Sequence, residues 1–328
     1  MSLEKIGIRM KYLLNVLLII LVCLVLDNFN IVDFNKLLEI DNIIILDTLI
    51  PCTVVLLLIN TLAAIRWIFI VNRLLGFNFD FIAGIALTYK SGLFAYFLPG
   101  QIGSELARVI LATRGRSPKD LNYALSASII DRVMALMSML IMSIILLAWT
   151  LILRNYDMNL MFTLVGSLIL IVIFVPACSK VLRLIVFALK KNRHVDYIGN
   201  IFKIIKIFLI AQPIYCIVLL FYSMFLNLAV AYVIYLIVSR ITQPIDFSTI
   251  ALMSLVSNLS AIIPITPGGL GISEIVFRET GALMQEISIE NLAGSYIIFR
   301  LLNIFSYIFG ILFIGLIRVV WKKENKKL

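Results

Sequence analysis

The chain has 328 residues, of which 62% are apolar and only 14% charged. Soluble domains hold about a quarter charged residues, so this balance excludes a soluble globular enzyme, a disordered chain and a secreted disulfide scaffold, and points to an all-α polytopic membrane protein. The net charge of +10 then belongs to loops facing an anionic inner leaflet rather than to nucleic-acid binding.

A hydrocarbon core of about 30 Å needs roughly 20 helical residues. The first apolar run, Met10 to Leu26, has no small-residue cleavage site and leads into a polar stretch, so it reads as a retained first span. Further spans are expected at Leu49–Val71, Asn122–Leu153, Leu160–Ala177, Ile207–Val238 and Leu292–Val320. Two other apolar segments are broken: Phe81–Thr113 by Pro99-Gly100 and Gly103, and Ser248–Ile287 by Pro264, Pro267, Gly268, Gly269 and Gly271. Proline lacks the N–H and glycine loosens the backbone, so an uninterrupted helix is not expected through either cluster. Both segments read as re-entrant hairpins, or as paired short spans, which leaves every orientation unchanged. The expectation is a single membrane domain over 1–328, with about six full transmembrane helices, two hairpins and no soluble domain.

With Lys5, Arg9 and Lys11 inside, the acidic loop Asp27–Asp47 falls outside. Arg73, Arg114, Arg116, Lys119, the basic stretch Lys180–Lys206 and the tail Lys322–Lys327 fall inside. This is the positive-inside pattern with both termini cytoplasmic, in a plasma (inner) membrane. Lys180–Lys206 alternates cations with Leu, Ile and Phe and reads as an amphipathic segment on the inner leaflet. Arg66 and Trp67 read as an interfacial anchor near the inner face.

The chain also repeats itself. Asn60…Arg73 is answered by Asn227…Arg240, Asp80-Phe81 by Asp246-Phe247, Pro99-Gly100-x-x-Gly103 by Pro267-Gly268-x-x-Gly271, Ser104-Glu105 by Ser273-Glu274, and Arg132 by Arg300. Repeat one covers about 49–153 and repeat two about 207–320. An odd number of full spans separates their starts, which inverts the second copy. Inverted repeats with broken helices near the midplane are characteristic of secondary transporters.

Irregular backbone at membrane depth is tolerated where it is buried in protein or lines a wet cavity. The helices restarting at Gly103 and Gly271 would aim free N–H groups and positive dipole ends at such a cavity, which suits an anion. A glycine kink that merely lets helices pack closely is the alternative. Arg132 and Arg300 lie about 15 Å and 12 Å into their spans at 1.5 Å per residue, from opposite faces. Intramembrane arginines mark a pathway or a paired site. Pairing of Arg132 with Glu105 and of Arg300 with Glu274 would staple each hairpin to its own repeat. Asp131 points about 100° away from Arg132 round the helix and is a poor partner for it. Lys90 and Arg108 add two cations, so four embedded cations face three carboxylates. The candidate binding set is therefore Arg132, Arg300, Arg108, Lys90, Glu105, Glu274, Asp131, Pro99, Gly103, Pro267, Gly268, Gly269 and Gly271. No CxxC or CxxH spacing joins the four cysteines, and the single histidine, His194, lies in a basic loop. No metal, cofactor or catalytic group is expected. PGGLG lacks the GK[ST] of a phosphate loop, so nucleotide binding is rejected.

At these motifs the sequence resembles a known family. Tyr96-FLPGQIGSELAR-Val109, Ser126-ASIIDR-Val133 and Pro264-ITPGGLGISE-Ile275 resemble the lysylphosphatidylglycerol synthase transmembrane-domain family of flippase-like integral membrane proteins. The second PG element, held by Pro264, Thr266, Pro267, Gly268, Gly269, Gly271 and Glu274, carries the most specific part. Gln101, Ile102 and Asp131 depart from the commoner pattern. The resemblance implies a multi-pass protein that moves lipids between leaflets. The chain is expected to be a standalone member without the transferase domain and not an enzyme. Its expected partners are membrane lipids, an anionic phospholipid or a polyprenyl-phosphate-linked glycolipid, together with proteins of cell-envelope biosynthesis. Two alternatives stand beside a lipid translocator: a secondary transporter of a small soluble anion, and a non-transporting accessory subunit of envelope glycan assembly.

Overall fold

The computed structural model describes residues 45–75, 79–96, 102–114, 118–154, 194–242, 245–261, 266, 268–284 and 292–324. Within them the chain is helical, without strands. Four helices follow from long apolar sequence: α1 (Ile50–Leu75), entered through a short π-helical turn at Ile45–Leu49, α4 (Pro118–Arg154), α6 (Pro213–Ile241) and α9 (Leu292–Glu324). Each contains a stretch long and apolar enough to cross a bilayer, with mean hydropathy of 2.2 to 2.4. These four correspond to the expected spans starting at Leu49, Asn122, Ile207 and Leu292. The expected spans Met10–Leu26 and Leu160–Ala177 lie outside the described residues.

One boundary needs correction. The span expected from Ile207 is broken at Gln212: α5 (His194–Ala211) ends there and α6 begins at Pro213. Proline at the first helical position cannot donate to the preceding turn and is pre-set for a new helix. The apolar run is interrupted only by Gln212 and Pro213, so hydropathy averaged over a span does not reveal the break.

Each expected hairpin is a pair of short helices. The first comprises α2 (Phe81–Phe94) and α3 (Ile102–Ala112), the second α7 (Phe247–Ser260) and α8 (Ile272–Leu283). The longest, 14 residues, is about 21 Å at 1.5 Å per residue, short of the hydrocarbon thickness. The aspartates matched in sequence precede the first helix of each pair. Asp80 caps α2 by accepting the Ala83 N–H at 3.0 Å, and Asp246 occupies the same place before α7.

The order long, short, short, long therefore occurs twice. Packing repeats with it: α1 packs on α2 as α6 on α7, α2 on α3 as α7 on α8, α3 on α4 as α8 on α9, α9 on α2 as α4 on α7, and α1 on α9 as α6 on α4. The same correspondence holds for single bonds. Asn60 on α1 donates to Ser306 Oγ on α9 at 2.8 Å, and Asn227 on α6 donates to Ser138 Oγ on α4 at 2.7 Å. Each serine lies six residues beyond the matched arginine, Arg300 or Arg132.

Glycines allow two of these contacts. A Cβ on Gly92 would stand 2.3 Å from the Tyr307 ring, and one on Gly310 would stand 2.2 Å from the Tyr89 ring. Each tyrosine of the α2–α9 contact thus fills the place of the other helix's missing side chain. Tyr89 is further held by its hydroxyl donating to the Leu57 carbonyl at 2.7 Å. Outward, the helices carry Ile144, Ile145, Ile214, Phe221, Phe225 and Phe313, as expected of surfaces facing lipid tails.

Candidate functional site

Between the two helix pairs lies a cavity of about 260 Å³, reached by side chains from α1, α3, α4, α6, α7 and α9. Four arginines line it: Arg66, Arg108, Arg132 and Arg300. The residues that hold them differ, and these differences set what each can do.

Arg300 is fixed by the second PG turn. Gly268, Gly269 and Gly271 adopt φ of 60°, 72° and 89°, the left-handed region that disfavours residues with a Cβ. A Cβ on Gly269 would also lie 2.9 Å from the Ala261 Cα. In this conformation the Gly268 and Gly269 carbonyls accept from the Arg300 guanidinium at 3.1 and 3.2 Å. Glu274, with no exposed surface, is 2.8 Å from Arg300 Nε. The other oxygen of Glu274 accepts the Gly271 N–H at 2.7 Å. The carboxylate therefore neutralises Arg300 and caps the start of α8 at once. The guanidinium also stacks on Tyr296 at 5.5 Å.

Arg132 is ion-paired with Glu105 of α3, the counterpart of Arg300 with Glu274. Asp131, facing away from Arg132, instead binds Arg66 Nε at 2.6 Å. Arg66 also donates to Ser223 Oγ at 2.8 Å. Arg66 and Trp67 are thus not an interfacial anchor. Both are buried, at 8% and 0% exposure, and the Trp67 indole donates to Ser128 Oγ at 3.0 Å. The clue lay in position: Arg66 is two turns inward of Arg73, which already marks the end of α1.

Arg108 stands apart. Its guanidinium lies 5.4 Å over the Trp67 ring and donates to Ser91 Oγ at 3.4 Å, a weak contact. Among the described residues no carboxylate comes within 4 Å of it. Glu105 and Asp131 line the cavity with the four arginines and Glu274 is buried behind Arg300, and all three carboxylates are already in ion pairs. Arg108 carries the remaining charge.

Of the other residues expected in the site, Gly268 lines the cavity. Gly103, Gly269 and Gly271 shape the helix starts around it without lining it, and Pro99 and Pro267 lie outside the described residues. Lys90 is exposed on α2 and does not line the cavity. Its neighbour Tyr89 faces inward, and adjacent helical residues point about 100° apart. Sequence reasoning used Asn60 and Asn227 only as repeat positions and did not assign the neutral polar lining. This includes the carboxamides of Asn60, Asn227, Asn258 and Asn303 and the hydroxyls of Tyr96, Ser104, Tyr296 and Tyr307. Asparagines are poor helix formers, and four of them on apolar helices were a readable signal. Among the described residues no cluster of His, Cys, Asp or Glu is arranged to hold a metal ion.

These motifs and spans coincide with one sequence family, the lysylphosphatidylglycerol synthase TM region, whose model matches residues 12–312. The chain belongs to that family. Like other members of the lysylphosphatidylglycerol synthase TM region, it is a multi-pass membrane protein, and the match covers all four long apolar helices over most of their length. No curated protein and no solved structure matches the chain.

Proposed function

We propose that the protein is a flippase-like translocator that carries the head group of an anionic lipid between leaflets of the plasma (inner) membrane. The tails would stay in the surrounding lipid while the head group occupies the cavity. The observation that carries this reading is the cavity itself, which is open on one side, lined about equally by polar and apolar groups, set between two broken-helix pairs at matched positions, and positive by one guanidinium among the described residues.

In this reading the short helix pairs are re-entrant and the two halves form an inverted repeat with both termini cytoplasmic. The matched packing of the halves supports exchange of the open side between leaflets. Arg132 and Arg300 hold the two helix pairs in place, and Arg108 meets the anion. The chain moves its ligand and performs no chemistry on it. The anion is held by charge and hydrogen bonds, which a conformational change releases.

The test is reconstitution into liposomes carrying tail-labelled anionic phospholipid or polyprenyl phosphate, with leaflet exchange scored for wild type, Arg108→Ala and Arg300→Ala. Exchange by the wild type that Arg108→Ala abolishes in folded protein is the expected result. Folded wild-type protein that exchanges no anionic lipid refutes a translocator role and leaves an accessory role or soluble-anion transport.

A further inference from the structure

We infer that Tyr96 is a gate: latched by Asn303 where the second PG turn meets the end of α2, it closes the cavity on one side and favours that state over its opposite. The inference rests on the translocator reading above.

The two broken segments meet at this residue. Tyr96 lies two residues beyond α2 and lines the cavity, as does Gly268 of the second PG turn. A Cβ on Gly268 would stand 3.2 Å from the Ala95 carbonyl oxygen and 3.5 Å from the Tyr96 Cα. The bare glycine thus lets the turn of one half rest on the backbone of the other. The Tyr96 ring is hemmed in at this contact, with the Tyr307 ring edge-on at 6.5 Å. The cavity is open on one side, and this contact lies where a closed side needs one.

The two sides of the contact are held by different bonds. Charge fixes the second turn, since Arg300 binds the Gly268 and Gly269 carbonyls and pairs with Glu274. Tyr96 is held by a chain of neutral bonds. Asn60 donates to Asn303 Oδ1 at 2.9 Å, and Asn303 donates to the Tyr96 hydroxyl at 3.0 Å. A neutral hydrogen bond is roughly half as strong as a charge-assisted one, so Tyr96 is the side that lets go. Its motion is local, because Gly92 against Tyr307 and Tyr89 against Gly310 clamp the body of α2 to α9.

The latch exists in one half only. The positions matching Tyr96 and Asn303 are Pro264 and Ala135, and neither side chain can form a hydrogen bond. In an inverted repeat the opposite-facing state arises as the halves exchange arrangements. That state would put Pro264 and Ala135 in the places of Tyr96 and Asn303, without a latch. The latch therefore biases the protein toward the state described above.

The experiment reads which face of the membrane reaches the cavity. Met139 lines it, so Met139→Cys is introduced with Cys23, Cys52, Cys178 and Cys216 replaced by Ser. Labelling by an impermeant, anionic methanethiosulfonate is timed in right-side-out and inside-out membrane vesicles. One face should label roughly tenfold faster than the other. In Tyr96→Phe and in Asn303→Ala the slow face should gain about fivefold, the weight of one hydrogen bond. In Tyr96→Ala, which also removes the ring, the two faces should label alike. Tyr222→Phe, which removes a bond of the same 3.0 Å length to the Leu62 carbonyl away from the cavity, should leave sidedness unchanged.

Lipid exchange measured on the same folded variants separates the two readings. A shift in sidedness in a protein that exchanges no lipid upholds the gate and overturns lipid translocation. Exchange that needs Arg108, with sidedness unmoved by all three gate variants, upholds translocation and overturns the gate. Equal labelling of the wild type from both faces also overturns the gate. If Tyr96→Ala does not fold, the Tyr96→Phe and Asn303→Ala results decide.

Discussion

Arg300 and Arg108 line the same cavity, yet the structure assigns them opposite costs of removal, and this contrast is open to direct measurement. In Arg300→Ala, Glu274 remains as a carboxylate with no exposed surface and loses its counter-ion at 2.8 Å. The Gly268 and Gly269 carbonyls lose their donors as well. Removing one partner of a buried ion pair costs about 3–5 kcal/mol. The Gly271 N–H still supports the carboxylate, which places the effect toward the lower end. At about 2–4 °C per kcal/mol for a chain of this size, the melting temperature should fall by about 6–12 °C. Arg108→Ala removes a buried cation–π contact worth about 2 kcal/mol and a weak hydrogen bond, but it also removes the cost of holding a desolvated cation without a carboxylate partner, so the net loss should be about 1 kcal/mol or less and shift melting by no more than about 4 °C. The assay is thermal unfolding in detergent, followed by labelling of Cys52, which is 1% exposed. Adding Glu274→Gln to Arg300→Ala should recover part of the loss, because the amide still caps Gly271 and no charge is left buried. If Arg300→Ala melts within 2 °C of Arg108→Ala, the assignment of Arg300 to holding the second PG turn is wrong.

The same assay tests other contacts. Gly92→Ala and Gly310→Ala each drive a methyl into a tyrosine ring and should cost about 1–3 kcal/mol, while Gly315→Ala, with nothing within 4 Å of its Cβ position, should be neutral or slightly stabilising. Asp131→Ala strands the buried Arg66 and should cost about 3–5 kcal/mol, most of it regained when Arg66→Met is added. In the liposome assay Lys90→Ala should leave lipid exchange at the wild-type rate, since Lys90 points away from the cavity.

Much of this arrangement is legible in the sequence because bilayers restrict what a chain can do. Twenty apolar residues make a span, and Pro-Gly clusters break one, so the four long helices and both short pairs follow from hydropathy and punctuation. The pairings of Arg132 with Glu105 and Arg300 with Glu274 follow from depth and from the repeat. What hydropathy misses depends on direction round a helix. Lys90 and Arg108 look alike as isolated cations near a break, but only Arg108 faces the cavity. Asp131 and Arg66 are far apart in the chain and meet only because α1 packs on α4. The break at Gln212 escapes a hydropathy average because apolar residues continue on both sides of it, and Pro213 is its one sign in the sequence. Asn60 and Asn227 were legible as matched positions of the repeat but not as cavity lining, because a neutral side chain in an apolar run carries no charge to be accounted for.

The crosswise bonds of Asn60 to Ser306 and Asn227 to Ser138 have a wider implication. A contact in which one half gives an amide to the other and receives the equivalent amide in return is the arrangement found at the interface of an isologous dimer, here carried in one polypeptide. Joining two such partners frees each to change alone, and this chain has used that freedom unequally. Asn303 joins the Asn60 bond where Ala135 stands opposite, and Asn258 faces the cavity in the region where the first half carries an outward Lys90. The packing of the two halves still matches while the side chains that line the cavity differ between them.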